Sequence, residues 1–527
     1  MACRTPPYLV SLLLLVPWTG AAAQPAPAPT MVVFITIDQM RSDYFQRFDN
    51  QLTGGLRQFL DDGAFFLDGY QDHAITETAP GHAATMSGRF PVHTGIVMNS
   101  QGVGNAQTPL IGAPELGASP FRFQGTTLLD WMKAKQPDMR FLSVSRKDRG
   151  AILPIGRSKG PVFWYSANGT FTTSTYYADT LPNWVAAFNA RKLPQSYAGK
   201  VWKTLLLPRQ YAEPDSVPLE SNGIDYVFPH PAPREPESAA AAAAMFPWMD
   251  DITLQLALAG VNALGLGTTA GRTDLLSVSL STTDAVGHRF GPDSRELHDQ
   301  VLRLDRSLGV FLDSLFKLRG RQNILFALTG DHGMTPYPDL KSDVYPNRDA
   351  KRVNLDGIWR VHRSRMLDLG VDSAAMWFEE GIFFVRDRKS FQDAHIDIDS
   401  AATELATDAM MVQGVQRADL MKDLARADTT KDTIARRWLH MFASSGGARM
   451  FVTLTPYSYW SAATIATHGS PHDSDAHVPV VFWGPGVKPG KYAGFVRVVD
   501  MAPTLASLLK VTPLERIDGR PLQQAMK

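Results

Sequence analysis

Five short, continuous apolar runs limit what this chain can fold into more than any other feature of its sequence. They are Met31–Ile37 (MVVFITI), Phe141–Ser145 (FLSVS), Asp274–Leu280 (DLLSVSL), Asn323–Leu328 (NILFAL) and Val478–Trp483 (VPVVFW). Strands with one wet face alternate apolar and polar residues. Unbroken apolar runs of this length instead suit a parallel sheet covered by helices on both faces. Helical patterns lie between the runs. The clearest is Glu296–Leu318, with Leu297, Val301, Leu304, Leu308, Phe311 and Leu315 at three- and four-residue spacing and Gly320 as its stop. Strands alternating with helices imply an α/β fold with a doubly wound, mostly parallel sheet flanked by helices.

Two stretches break that rhythm, at about 156–245 (rich in Tyr, Trp, Pro and Thr) and about 337–447 (many charges, mixed pattern). Both read as cap insertions at the edge or mouth of one domain spanning 24–527. The aromatic group Trp164, Tyr165, Tyr176 and Tyr177 in the first either stacks a ligand or packs the cap. Residues 1–23 combine Arg4, an apolar stretch from Leu9 to Val16 and Ala21–Ala23. That is the pattern of a signal peptide, and its apolar run is too short to span a bilayer. The expected mature protein is therefore periplasmic or secreted, with no membrane span. Loss of Arg4 from a chain with 52 basic and 52 acidic residues leaves 51 against 52. A neutral chain without a basic run argues against nucleic acid as the main partner. The only cysteine, Cys3, leaves with the signal, so any metal must be held by His and carboxylates.

Ionisable residues follow the apolar runs. Asp38 comes directly after MVVFITI, and Lys147 and Arg149 follow FLSVS. Asp284 and His288 follow DLLSVSL, and Asp331 and His332 follow NILFAL. Ligands of open α/β sheets bind beyond the carboxyl ends of the strands. A single Asp after a strand is common as a helix cap or turn residue. Four segments delivering Asp, His, Lys or Arg to one rim call for a different explanation. Three aspartates at close quarters repel one another unless cations neutralise them. A thiolate-free set of imidazoles and carboxylates suits zinc, and manganese or a similar ion less well. Asp284 and His288, four apart, share a helical face, and the adjacent Asp331 and His332 can reach two ions, so a two-metal centre is the expectation.

The segment Thr76–Asn99 (TETAPGHAATMSGRFPVHTGIVMN) places Pro80 in the first turn of an expected helix and Thr78 at its N-terminus. Alone, Thr78 reads more readily as a helix cap than as a nucleophile, and Thr76 and Glu77 are weaker nucleophile candidates on the same loop. His73, His82 and His93 read as packing or capping groups, with His82 one turn into the helix and pointing away from Thr78.

These stretches resemble the alkaline phosphatase superfamily, most of all the single-chain bacterial alkaline phosphatases with a threonine nucleophile, relatives of the nucleotide pyrophosphatase/phosphodiesterases. The resemblance rests on ITIDQMRSDYF, TETAPGHAATMSG, HTGIVMN, KDRGAILP, STTDAVGHRFGP, TGDHGM and THGSPHDSDAHVP, in the family's order from Asp38 to His477. It implies two Zn2+ ions, one held by Asp38, Asp331 and His332 and activating Thr78, the other held by Asp284, His288 and His468. It further implies that Asn99 donates to a phosphoryl oxygen while Lys147 and Arg149 bind the others. Of the three late histidines it favours His468 over His477, with His472 where this branch varies. The implied activity is hydrolysis of small-molecule phosphate monoesters through a phosphothreonine. A phosphodiesterase or nucleotide pyrophosphatase using the same site is the alternative. A sulfatase is disfavoured, because its modified Cys or Ser sits in a C/S-x-P-x-R setting and Thr78-Ala79-Pro80-Gly81-His82 lacks both that nucleophile and the Arg.

Overall fold

In the computed structural model, residues 1–3, 28–340 and 349–527 are described. The expected signal peptide lies almost wholly outside them. A nine-stranded sheet organises the chain. At its centre the strand Met31–Ile37 lies between Asp274–Leu280 and Ile324–Gly330, parallel to both. Phe141–Ser145 adds to the far side of Asp274–Leu280, again parallel. Alternation along Met31–Ile37 sends Met31, Val33, Ile35 and Ile37 into one apolar cluster and Val32 and Phe34 into another. Helices Gly55–Asp62, Trp248–Ala263 and Arg295–Arg319 cover the first face. Helices Thr78–Ser87, Leu128–Lys135 and Met501–Leu509 cover the second. Burial on both sides is why these strands are apolar throughout.

The sheet is mixed rather than wholly parallel. Val480–Trp483 runs antiparallel to both its neighbours, Ile324–Gly330 and Ala64–Tyr70. The reversal has a consequence for the site: the residues that precede this strand, not those that follow it, lie at the rim where the parallel strands end. The first expected insertion contributes two strands to the far edge, Val162–Ser166 and Thr170–Thr172. Its aromatic residues pack: Trp164 and Tyr165 are buried, Trp164 meets Tyr177 edge-on, and the Tyr165 hydroxyl donates to the Ala240 carbonyl. In the second, a separate antiparallel sheet forms from Met376–Glu379, Ile382–Val385, Ala448–Leu454 and Val415–Leu420. Its own core packs against helix Ile398–Met410. The helix Thr433–Met441 ties this unit to the main body, because Arg436 forks onto the buried Asp72 carboxylate at 3.0 Å and His440 stacks on Phe90.

One buried acid supports the helix that carries Asp284 and His288. Asp250, on the neighbouring helix, accepts from the Thr282 hydroxyl (2.8 Å) and backbone N–H (3.2 Å) at the start of Thr282–Phe290, and from Gln300 at 2.9 Å. Burial, only partly offset by those donors, raises the Asp250 carboxyl from 3.8 to about 6. The folded protein therefore holds this proton more tightly than the unfolded chain. The stability it contributes is full below pH 3.8 and is lost as pH rises through about 6. Chemical denaturation of Asp250→Asn and the unsubstituted protein across that window should show the latter losing ground to the variant as pH rises, by up to about 1.4 kcal/mol per pH unit. Parallel pH dependences would contradict this reading of Asp250.

Candidate active site

The strand ends gather the expected side chains. Asp38, at the end of Met31–Ile37, and Asp331 and His332, after Ile324–Gly330, are fully buried, and Asp284 nearly so. Asp284 and His288 sit one turn apart with His288 Nε2 3.2 Å from Asp284 Oδ1. His468 arrives from the segment ahead of the reversed strand, its Nε2 3.2 Å from His288 Nε2 and 3.7 Å from Asp284 Oδ1. His332 Nε2 lies 3.4 Å from Asp38 Oδ1, 3.7 Å from Asp331 Oδ2 and 3.4 Å from Thr78 Oγ1.

All three imidazoles are oriented by the same device. Nδ1 of His332 donates to the Gly333 carbonyl, that of His288 to Ala466 and that of His468 to Thr76, at 2.9, 2.7 and 2.8 Å. A carbonyl can only accept, so each Nδ1 carries a proton and each ring turns its Nε2 inward, the orientation that metal-ligating histidines adopt. Neither oxygen of Asp38 has a well-formed hydrogen bond, nor has Asp331 Oδ2. Asp331 Oδ1 is committed to the backbone N–H groups of Gln39 and His332, both at 3.0 Å. Ligand atoms close into two sets, Asp284–His288–His468 and Asp38–Asp284–His332. Asp331 adjoins the second set through His332. This donor set fits two divalent cations of the zinc type.

Charge also points that way. Lys147 Nζ is 2.7 Å from Asp38 Oδ2, 2.6 Å from Asp284 Oδ2 and 3.1 Å from Thr78 Oγ1. Although burial opposes it, this ammonium holds both carboxyls far below the usual carboxylate range. Burial likewise opposes charge on His332, yet Asp331 and Asp38 outweigh it and push that imidazole up to about 9. His468 is driven down by burial and by the charges of His332 and His288. One lysine against three aspartates leaves a site that attracts further positive charge.

Thr78 begins the helix Thr78–Ser87, with Pro80 in its first turn. Gly81 lets that helix press on the metal-side strand end: a Cβ there would stand 2.2 Å from the Asp331 carbonyl oxygen. The other candidates on the loop are engaged elsewhere. The Thr76 hydroxyl donates to the Ser470 carbonyl, and Glu77 accepts the Asn99 backbone N–H at 2.6 Å. Asn99 Oδ1 accepts from Ala79 N–H at 2.9 Å, which leaves its amide nitrogen available as a donor. Arg149 lies on the short helix Asp148–Ile152; its Nη1 is 3.5 Å from Asp148, its Nε has no hydrogen-bond partner, and its charge is felt at Glu77. His472 and His477 face away, bonding the Leu454 and Leu67 carbonyls. His93 pairs with Asp518, outside the site, and His73 is fully buried.

Residues 32–440 match the family model for type I phosphodiesterase / nucleotide pyrophosphatase. The chain belongs to this family. Within it, the alkaline phosphatase PhoV of Synechococcus elongatus is 31% identical over 95% of this chain and 93% of its own length. Alkaline phosphatase PafA of Elizabethkingia meningoseptica is 29% identical over 98% of both. A crystal structure of PafA superposes with a TM-score of 0.86 at 26% identity, covering 96% of this chain and all of that one.

One residue of the site, Gln39, escaped the sequence reading, and the expected direction of another, His82, is corrected. Gln39, left-handed at φ +63°, binds Asp331 through its backbone and Asp284 through its side chain at 3.2 Å, tying the two metal-ligand sets together. His82 does not turn away from Thr78. Helical side chains lean toward the N-terminus, so its Nδ1 comes within 2.9 Å of both the Thr78 carbonyl and Asp331 Oδ2, while Nε2 meets Ser279 Oγ at 2.8 Å. The Thr-x-Pro-x-His spacing was the available signal. His82→Ala should weaken metal retention by about tenfold or more through loss of support for Asp331, as read by chelator competition. Unchanged retention would make His82 a packing residue only.

Proposed function

We propose that this protein is an exported alkaline phosphatase that hydrolyses phosphate monoesters at a two-zinc centre through a phosphothreonine. The observation that carries the reading is the convergence of Thr78 Oγ1, Lys147 Nζ and three inward Nε2 atoms on one buried set of aspartates. Alkaline phosphatases spanning nearly the whole chain support it, and the signal-like residues 1–23 support export. No helix among the described residues is long and apolar enough to cross a membrane.

Asp38, Asp331 and His332 would hold one cation, and Asp284, His288 and His468 the other. When bound, such cations supply Lewis-acid stabilisation and make a hydroxyl or water nucleophilic near neutral pH. Thr78 attacks phosphorus in line, forming a Thr78 Oγ–P bond as the ester P–O bond breaks and the alcohol departs on the opposite side, toward His288 and His468. Water then cleaves the phosphothreonine, returning the Thr78 hydroxyl and releasing phosphate. Asn99 donates its free amide N–H to one phosphoryl oxygen. Lys147 and Arg149 meet the remaining oxygens, Arg149 as a fork and Lys147 as a point charge. A monoester dianion gains from both cations; a diester places an ester group there and gains less.

Turnover of an aryl phosphate against an aryl phosphodiester by the unsubstituted protein, Thr78→Ala, and the double variant Lys147→Ala/Arg149→Ala tests this. The unsubstituted protein should favour the monoester, Thr78→Ala should lose turnover by at least about 10³-fold while keeping its metal, and the double variant should lose the monoester selectively. A diester preference, or equal losses on both substrates, would favour the phosphodiesterase reading.

A further inference from the structure

A cavity of about 430 Å³ opens directly beside the leaving-group side of the centre, within the size range of small-molecule sites. Glu77, His288 and His468 form one wall, and Phe378, Glu380 and Trp460 form the other. Phe378 and Glu380 come from the smaller antiparallel sheet, whose hairpin Met376–Glu379 / Ile382–Val385 brings its tip, Glu380–Gly381, into the lining, and Trp460 comes from a separate parallel pair, Arg352–Val353 with Tyr459–Trp460.

That tip is built for something other than turn formation. Both residues are left-handed, at φ +49° and +76°, which a two-residue hairpin turn needs and which Gly, Asn or Asp supply readily. Glutamate there is strained, and strain of this kind gathers at ligand sites. Gly381 is required by the neighbouring ring: a Cβ would stand 2.5 Å from Trp460 Cζ2. The turn thus sets Glu380 and Trp460 in one lining, where burial and the charges of Glu77 and Glu379 push the Glu380 carboxyl up to about 8, a site that a cation would relieve. Asp356 adds a further acid to the lining, and among the described residues no Lys or Arg joins it. At the phosphoryl end stand Lys147 and Arg149. The site is bipolar, cationic where the phosphate is held and acidic and aromatic where the alcohol departs.

Resting on the phosphatase reading, we propose that this cavity receives the departing alcohol and selects alcohols bearing an ammonium group, with Glu380 and Trp460 as its specificity-determining residues. A carboxylate and an aromatic face attract a quaternary or primary ammonium by ion pairing and cation–π contact. An alcohol carrying a second phosphate or a carboxylate meets Glu77 and Glu380 and is disfavoured.

The test compares kcat/KM for choline phosphate with that for its tert-butyl isostere, in which carbon replaces the nitrogen and shape is kept. The choline ester should be preferred by about tenfold or more, the size expected of a partly desolvated cation–π and ion-pair contact. Glu380→Gln and Trp460→Ala should each bring the ratio toward one, while turnover of methyl phosphate, whose alcohol carries neither a ring nor an ammonium for them to meet, stays within about threefold. A ratio near one in the unsubstituted protein, or an undiminished preference in both variants, would overturn the proposal. Calorimetric titration with choline and with its carbon isostere reads the cavity without turnover. Tighter choline binding in a protein inactive on aryl phosphate would uphold the cavity and sink the phosphatase reading. Equal binding in an active phosphatase would do the reverse.

Discussion

Three aspartate carboxylates crowded into a water-poor rim set the terms for everything else in this protein. Like charges about 4 Å apart repel by about 4 kcal/mol even at an effective dielectric of 20, so Asp38, Asp284 and Asp331 persist together only against positive charge. Among the described residues Lys147 brings one ammonium within contact distance, and backbone carbonyls aim the Nε2 atoms of three imidazoles inward. The rigid central strands bring the acids close. Gln39, His82 and Asp250 fix how they are presented from behind.

Much of this was legible in the amino-acid order because parallel, doubly covered strands leave an unmistakable trace. Met31–Ile37, Phe141–Ser145 and Asp274–Leu280 form strands with the expected bounds. The long helix runs Arg295–Arg319 and stops at Gly320, whose φ of +79° suits that residue. A charged residue straight after such a run must emerge at the rim, so Asp38, Asp284 and Asp331 could be placed from position alone.

What sequence position could not give was direction and reach. The direction of Val480–Trp483 is invisible in VPVVFW, since a doubly buried strand is apolar whichever way it runs. Its reversal carries the preceding His468 to the rim, and position along the chain does not separate His468 from His472 and His477; what separates them is the ring nitrogen given to a backbone carbonyl, Nδ1 in His468 and Nε2 in the other two. His82 was misread because spacing along a helix was considered without the tilt of its side chains. The hairpin bearing Glu380 lies some 300 residues from Thr78 in the sequence and meets the site because Ile382, Phe384 and Phe451 of the second sheet pack with Ile75 and Met98, on either side of Thr78 in the chain.

The central claim is that two cations share this rim beside Thr78. Anomalous diffraction at the zinc edge from crystals of active protein tests it most directly. Two peaks are expected, one among Asp38, Asp331 and His332 and the other among Asp284, His288 and His468. A single peak, or peaks remote from these residues in fully active crystals, would contradict it.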